Sequence, residues 1–324
     1  MNNMEIIKES KATIMYKSLS KGSENYDVIA LQQLINRSGR DLDIKILVDG
    51  KFGEKTKKAL ISIQKNLDVE PSGLCNLLTW QALFEDTDIN KLKLKNFVFA
   101  GLSEDQYFPE HQRKDIIVMH HTAGGPNPYY VRDHWQKNRN RVGTFLIIGG
   151  KGQYDGVALQ MYQHPSQWAY HLNIWGNFNV YEGRKDENKN HETRMAKRTI
   201  GVELCNYGYL SFLDGKFWYM SKGKKAHVVP SEDVIDYGER GYRGKRYYHR
   251  YTNKQIETLK DFILKSAEYY GIKIKKPVDG YNAKWFDYSW EATRGEQNLI
   301  SHSNVRSKSD MHPQPELIQM LNNI

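Results

Sequence analysis

The sequence predicts an α/β unit preceded by a small all-α unit of three helices. Near the N-terminus, apolar residues recur at helical spacing, as Val28, Leu31 and Ile35 do. Beyond residue 110, short continuous apolar runs read as buried strands, among them Ile116-Ile117-Val118-Met119, and helical patterns lie between and after them. The third observation is length: 324 residues give room for about two units that each bury a core.

The small unit is expected over residues 14–86. Its first helix carries Val28, Leu31 and Ile35 and leads to a turn, Asp49-Gly50-Lys51-Phe52-Gly53, with glycines at unusual backbone angles. The next helix runs from Glu54 to about Leu67 with Ala59, Leu60 and Ile63 on one face. A second turn at Pro71-Ser72-Gly73 precedes a short closing helix, Leu78 to Leu83. Periodicity then breaks down, and 87–106 reads as a polar, lysine-containing linker.

The second unit is expected over 107–324. In its opening strand His120 shares a face with Ile116 and Val118, while His121 points the other way. Asn127-Pro128 has the form of an N-cap followed by proline at the first helical position. Val142 to Ile148 reads as a second buried strand, and Trp168-Ala169-Tyr170-His171 as a loop. The third strand, Arg198 to Asn206, sets Glu203 in an apolar run, where an unpartnered carboxylate is costly. Residues 207–250 are rich in Tyr, Gly and Lys without clear periodicity, so an elaborated loop over the site is expected there. Thr252 and Gln255 form a capping-box pattern that starts a helix ending near Gly271.

The stretch Ser301 to Asp310 places a histidine, a lysine and an aspartate at offsets of zero, six and eight. Extended, residues eight apart stand about 26 Å from each other. Two ligands of one metal ion converge within about 4 Å. If His302 and Asp310 share a metal, the segment must fold back as a loop, which Pro313 and Pro315 just beyond it suit.

Composition narrows the classes. The hydrophobic content of 39% with 21 Tyr and 7 Trp argues against disorder. A net charge of +9 favours an anionic partner such as nucleic acid, a membrane surface or an acidic envelope, although the basic residues are mostly spread among acids. Two cysteines, Cys75 and Cys205, suggest free buried thiols rather than a disulfide framework. No basic stretch followed by an apolar core opens the chain, and no apolar run is long enough to span a bilayer. The expectation is a protein made in the cytoplasm that reaches any outer target by release or export.

Two resemblances follow from these motifs. Leu31-Gln32, the Asp49-Gly50-x-Phe52-Gly53-x-x-Thr56 turn, Ile63-Gln64 and Thr79-Trp80-x-x-Leu83 resemble the small helical peptidoglycan-binding domain of cell-wall hydrolases. The ordered set His120-His121-Thr122, Gly143-Thr144-Phe145, Trp168-x-x-His171, Ile200 to Leu204, and His302-x5-Lys308-x-Asp310 resembles the zinc-dependent N-acetylmuramoyl-L-alanine amidases of the amidase-2 family. That resemblance implies a mixed central sheet flanked by helices. It also implies zinc ligands at His120, His302 and Asp310, with Glu203 and Lys308 catalytic. Thr144, Trp168 and His171 fall in the family's substrate-lining regions. Where phage lysozyme-type members carry a tyrosine after the strand glycine, this chain has Thr144, so the mechanism leans on Glu203 as in the bacterial recycling type. His121 reads as a supporting or structural residue beside a ligand.

The chemistry is coherent: three protein ligands leave a fourth position for water, and zinc lowers that water's pKa toward about 7. The implied protein is a monomeric, endolysin-like wall hydrolase with peptidoglycan as partner. A helical module would hold the wall and raise the local concentration of the cutting unit. Rival readings are a non-catalytic peptidoglycan recognition protein, which would lack a full ligand set, and a nucleic-acid binder, which would rest on charge alone and show steep salt dependence.

Overall fold

The computed structural model describes residues 17–39, 42–87, 89–174, 185–276, 285–306 and 310–324, with 185–190 as backbone only. The N-terminal unit holds helices α1 (Tyr26–Ser38), α2 (Glu54–Asn66) and α3 (Leu77–Thr87). Helix α1 starts where the Asn25 side chain accepts the backbone N–H groups of Asp27 and Val28. Its Val28, Leu31 and Ile35 join Leu60, Ile63, Trp80 and Leu83 in the core. Two buried glutamines close the turns from inside. Gln32 Oε1 accepts from the Asp49 and Gly50 N–H groups, and its Nε2 donates to Asp49 Oδ1. Gln64 does the same for the second turn, accepting from Gly73 N–H and donating to the Leu74 carbonyl.

The stretch expected to be a linker is instead packed. Ile89, Leu92 and Leu94 are buried, and Phe97–Phe99 form strand β1. The lysines that make 87–106 look polar lie among these residues; in the turns before β1, Leu92 and Leu94 are buried while Lys93 and Lys95 are exposed. Strand β1 pairs in parallel with β4 (Ala158–Gln160), so this segment is the edge of the main sheet.

That sheet also holds β2 (Ile116–His121), β3 (Leu146–Ile148), β5 (Thr199–Leu204) and β11 (Leu299–Ser301), in the order β1-β4-β3-β5-β2-β11. It is mixed, because β3 and β4 run antiparallel while the other neighbours are parallel. Helices α4 (Pro128–Lys137), α5 (Lys185–Arg198), α6 (Asn253–Tyr270), α7 (Trp290–Arg294) and α8 (Pro315–Asn322) complete the unit. Ile117 and Met119 share a core with α6, α8 and the N-terminal helices. Ile116 and Val118 face Leu172, Met195 and Ile300 on the other side. The alternation read from the sequence therefore holds, and it puts His120 on the second face. Helix α6 has its expected capping box and ends at Gly271 with φ 67°, a left-handed angle.

The two units meet through charge as well as apolar surface. Arg132 on α4, only 5% exposed, pairs with Asp27 of α1 at 2.9 Å and with Asp133, and its guanidinium lies over the rings of Tyr26 and Tyr129. Gln33 also donates to the Leu102 carbonyl at 2.7 Å.

Residues 207–250 differ most from expectation. They form a second, antiparallel sheet of β6 (Tyr209–Leu213), β7 (Lys216–Ser221), β8 (Lys224–Val229), β9 (Val234–Asp236) and β10 (Tyr247–His249), ordered β8-β7-β6-β10-β9. Most of β6, β7 and β8 is exposed or half-buried, so polar and apolar residues do not alternate cleanly and the sequence shows no period. Among the described residues no helix is long and apolar enough to cross a membrane.

Candidate metal centre

His120 is the penultimate residue of β2, and β11, its parallel neighbour in the sheet, ends just before His302. A short 3-10 turn, His302–Asn304, starts there, fixed by Ser301 N–H donating to Asn304 Oδ1 at 2.7 Å. The chain then returns so that Asp310 Oδ2 lies 2.7 Å from His302 Nδ1, as the loop argument requires. Met311 follows at φ 99°, a backbone angle rare outside glycine, and its carbonyl accepts from Ser303 Oγ. One donor atom each from His120, His302 and Asp310 lies within 4.8 Å of the others.

The protons of this cluster can be placed by tracing each hydrogen bond back to a backbone carbonyl. His302 Nε2 faces the Leu172 carbonyl at 2.5 Å, and a carbonyl only accepts, so that nitrogen carries a proton. On the other side Thr199 Oγ1 donates to the Ala196 carbonyl. It therefore accepts from His171 Nε2 at 2.8 Å, which leaves His171 Nδ1 to accept from His120 Nε2 at 2.9 Å. In the neutral rings both Nδ1 atoms are then lone pairs. They stand 3.0 Å apart, with the Asp310 carboxylate against one of them. Three acceptors thus converge with no proton between them, an arrangement that a divalent cation satisfies. Two nitrogens and one oxygen suit a first-row ion such as zinc.

Electrostatics agree with neutral rings at His120 and His171. Burial, then the neighbouring His302 and His171, holds His120 well below the usual imidazole range. Burial draws His171 down to about 3.

Glu203 lies directly beside His120 in the β2–β5 register, on the same face. Its Oε2 is enclosed and has no hydrogen-bond partner among the described residues. Burial, then the charge of Asp310, pushes this carboxyl well above its ordinary range. A carboxyl with one enclosed oxygen that has no partner among the described residues, beside His120, is placed to hold or release a proton.

The other sequence-singled residues fall in different places. His171 joins the cluster, but through His120 Nε2. Thr144 is buried, its Oγ1 donating to the Leu146 carbonyl and its methyl against Gly201. Gly201 is required here: a Cβ would sit 2.8 Å from Thr144 Cγ2 and 3.0 Å from His171 Cε1. Trp168 stacks on Phe108 at 3.8 Å with Lys197 over its ring, and its described contacts do not include the three donors. His121 turns to the opposite side, where its Nδ1 and that of His312 flank the Tyr251 hydroxyl. Lys308 lies outside the described residues.

Sequence reading missed Thr199, the Leu172 carbonyl and Arg243. Arg243, in the turn between β9 and β10, donates to the carbonyls of Phe286, Ser303 and Arg306 at 3.0, 2.7 and 2.7 Å. The second sheet therefore grips the loop that carries His302. No spacing in the sequence signals it, since the partners are backbone atoms.

The N-terminal helices and their glutamine-closed turns can now be set against known proteins. Residues 24–83 match the family "Putative peptidoglycan binding domain". That match ends before β1 and leaves the metal-centre unit outside it. Among solved structures the chain is similar to PlyL, at 14% identity and a TM-score of 0.36, over 69% of this chain and 94% of that one. It is also similar to the PlyG catalytic domain in solution, at 14% identity and a TM-score of 0.33, over 70% and 93%. No curated protein matches the chain.

Proposed function

We propose that the chain is a zinc-dependent N-acetylmuramoyl-L-alanine amidase acting on bacterial peptidoglycan, with residues 14–86 holding the wall and 107–324 cutting it. The observation that carries this reading is the convergence of three proton-free donors beside the enclosed carboxyl of Glu203. His120, His302 and Asp310 would hold the ion, three protein ligands being the number that leaves room for a water. Zinc, when bound, supplies a Lewis acid and an acidified water. Glu203 takes a proton from the attacking water and returns it to the departing amine of L-alanine. Lys308, two residues before Asp310 in sequence, supplies positive charge to the developing oxyanion. His171 and Thr199 keep the His120 lone pair aimed at the ion. The match over 24–83 supports peptidoglycan as the partner. A monomeric endolysin used in phage-driven lysis, reaching the wall by release or export, is the setting we favour.

Mass spectrometry of digested peptidoglycan tests the reaction. Wild type should release stem peptides beginning with free L-alanine, lose that activity on chelation and regain it with zinc. Glu203→Gln should lower the rate about 10²–10⁴-fold, the usual span for a positioned acid–base. Wall binding without any release would establish the recognition-protein reading instead, and cut glycan strands would show that the bond is wrong.

A second expectation concerns the hydrogen-bonded chain behind His120. Thr199→Val should weaken zinc affinity about 10–100-fold in competition with a chromophoric chelator, and Thr199→Ser should restore it. Equal affinity in the valine variant would mean that the chain does not orient the ligand.

A further inference from the structure

Residues 207–250 carry nine Lys and Arg against five Asp and Glu, a surplus of four within a chain of net charge +9. They also leave large apolar and aromatic groups in solvent: Phe212 is 50% exposed, Val228 48% and Tyr209 43%. A small sheet that keeps such groups wet invites a partner. One part of it touches the loop that follows β2. Tyr219 of β7 donates its hydroxyl to the Ala123 carbonyl at 2.9 Å, two residues beyond the end of β2. His227 of β8 is its direct cross-strand neighbour. Tyr207, just before β6, sits 4.7 Å from Tyr219 and 5.6 Å from His227, with ring planes within 32°. Tyr207 and Tyr219 are half-buried and His227 is exposed, so three nearly parallel rings form a shelf beside the loop that follows His120 and His121. Lys222 and Lys224, both exposed, lie at the turn and edge of the same hairpin.

We propose that this shelf holds the glycan strand whose lactyl amide is cut at the metal centre. The proposal rests on the amidase reading. Sugar rings offer flat C–H faces that pack on aromatic rings, and tyrosine and histidine add polar edges for the hydroxyl groups. Hydrolysing the amide consumes one water; it leaves a lactyl carboxylate on the sugar and a free amine on the peptide. A strand that has been cut is thus a polyanion, which the lysine surplus of this sheet complements. The continuity of Tyr219 with the β2 loop favours the strand being processed over an unrelated polymer, and the shelf retains it after the peptide leaves.

The test is hydroxyl-radical footprinting of the full chain, zinc-loaded, with and without peptide-free glycan strands. Oxidation of Tyr207, Tyr219 and His227 should fall, while that of Tyr269, 43% exposed on α6, should not. The double variant Tyr219→Ala/His227→Ala, checked for an unchanged melting temperature, should lose about tenfold in strand affinity, the order set by two ring contacts. Neutral chito-oligosaccharides, which lack the lactyl carboxylate, should bind more weakly and with less salt dependence. Unchanged oxidation of the three rings, or protection confined to residues 24–83, overturns the shelf. Because the footprint needs no turnover, rings protected in a chain that cuts no amide would support the shelf while defeating the amidase. Amide cutting with unprotected rings would defeat the shelf alone.

Discussion

Arg243→Ala should destabilise the fold by about 3–5 kcal/mol and weaken metal binding at the same time, because one guanidinium satisfies three backbone carbonyls. Hydrogen bonds from charged donors are each worth roughly 1.5–3 kcal/mol, and those sharing one side chain add incompletely. Two of the three acceptors, Ser303 and Arg306, lie in the loop between His302 and Asp310, so the loss falls on the geometry of the donors themselves. Arg243→Lys should recover little, since an ammonium cannot reproduce the planar fork. Chemical denaturation read together with a zinc competition titration decides the matter. A variant with native midpoint and native zinc affinity would show that the loop holds its shape without the second sheet.

The second large effect is expected on removing residues 1–86. The remaining chain would expose Leu92, Leu94 and the β1 residues to water and would leave Arg132 without Asp27 and the Tyr26 ring. Such a fragment should aggregate or melt without a sharp transition, whereas a unit on a flexible linker would fold unaided. In the intact chain Asp27→Ala should cost about 1–3 kcal/mol, less than a fully orphaned buried charge because Asp133 still faces Arg132. A soluble 87–324 fragment whose denaturation midpoint equals that of the full chain would sink this expectation.

Both effects concern parts of the molecule that the sequence conceals. His120 and Glu203 stood out as polar residues in apolar strand runs, whereas His302 and Asp310 were singled out by their spacing and by the family resemblance. Helices α1 to α4 and α6 were legible from caps and period, as with Thr252, Gln255 and Gly271, whereas α5, α7 and α8 were not read. The sheet over 207–250 was not, since strands wet on both faces need no alternation. Strand β1 was hidden by its length of three residues, Phe97–Phe99, and by the lysines just before it. His171 was singled out for contact with substrate, yet its partners are His120 and Thr199, 51 and 28 residues away, a pairing that only the folded sheet creates.

The pairing of β1 with β4 and the burial of Arg132 against Asp27 also bear on how the molecule would work on an insoluble polymer. A module on a slack chain searches a volume set by linker length, and every cut within reach is equally accessible. Here the helical module and the sheet share one core, so the span from that module to the His120–His302–Asp310 cluster is a constant of the fold. An anchored molecule would act as a ruler: it would reach bonds at one offset and one orientation from its foothold, and would have to let go of the wall before it could cut elsewhere.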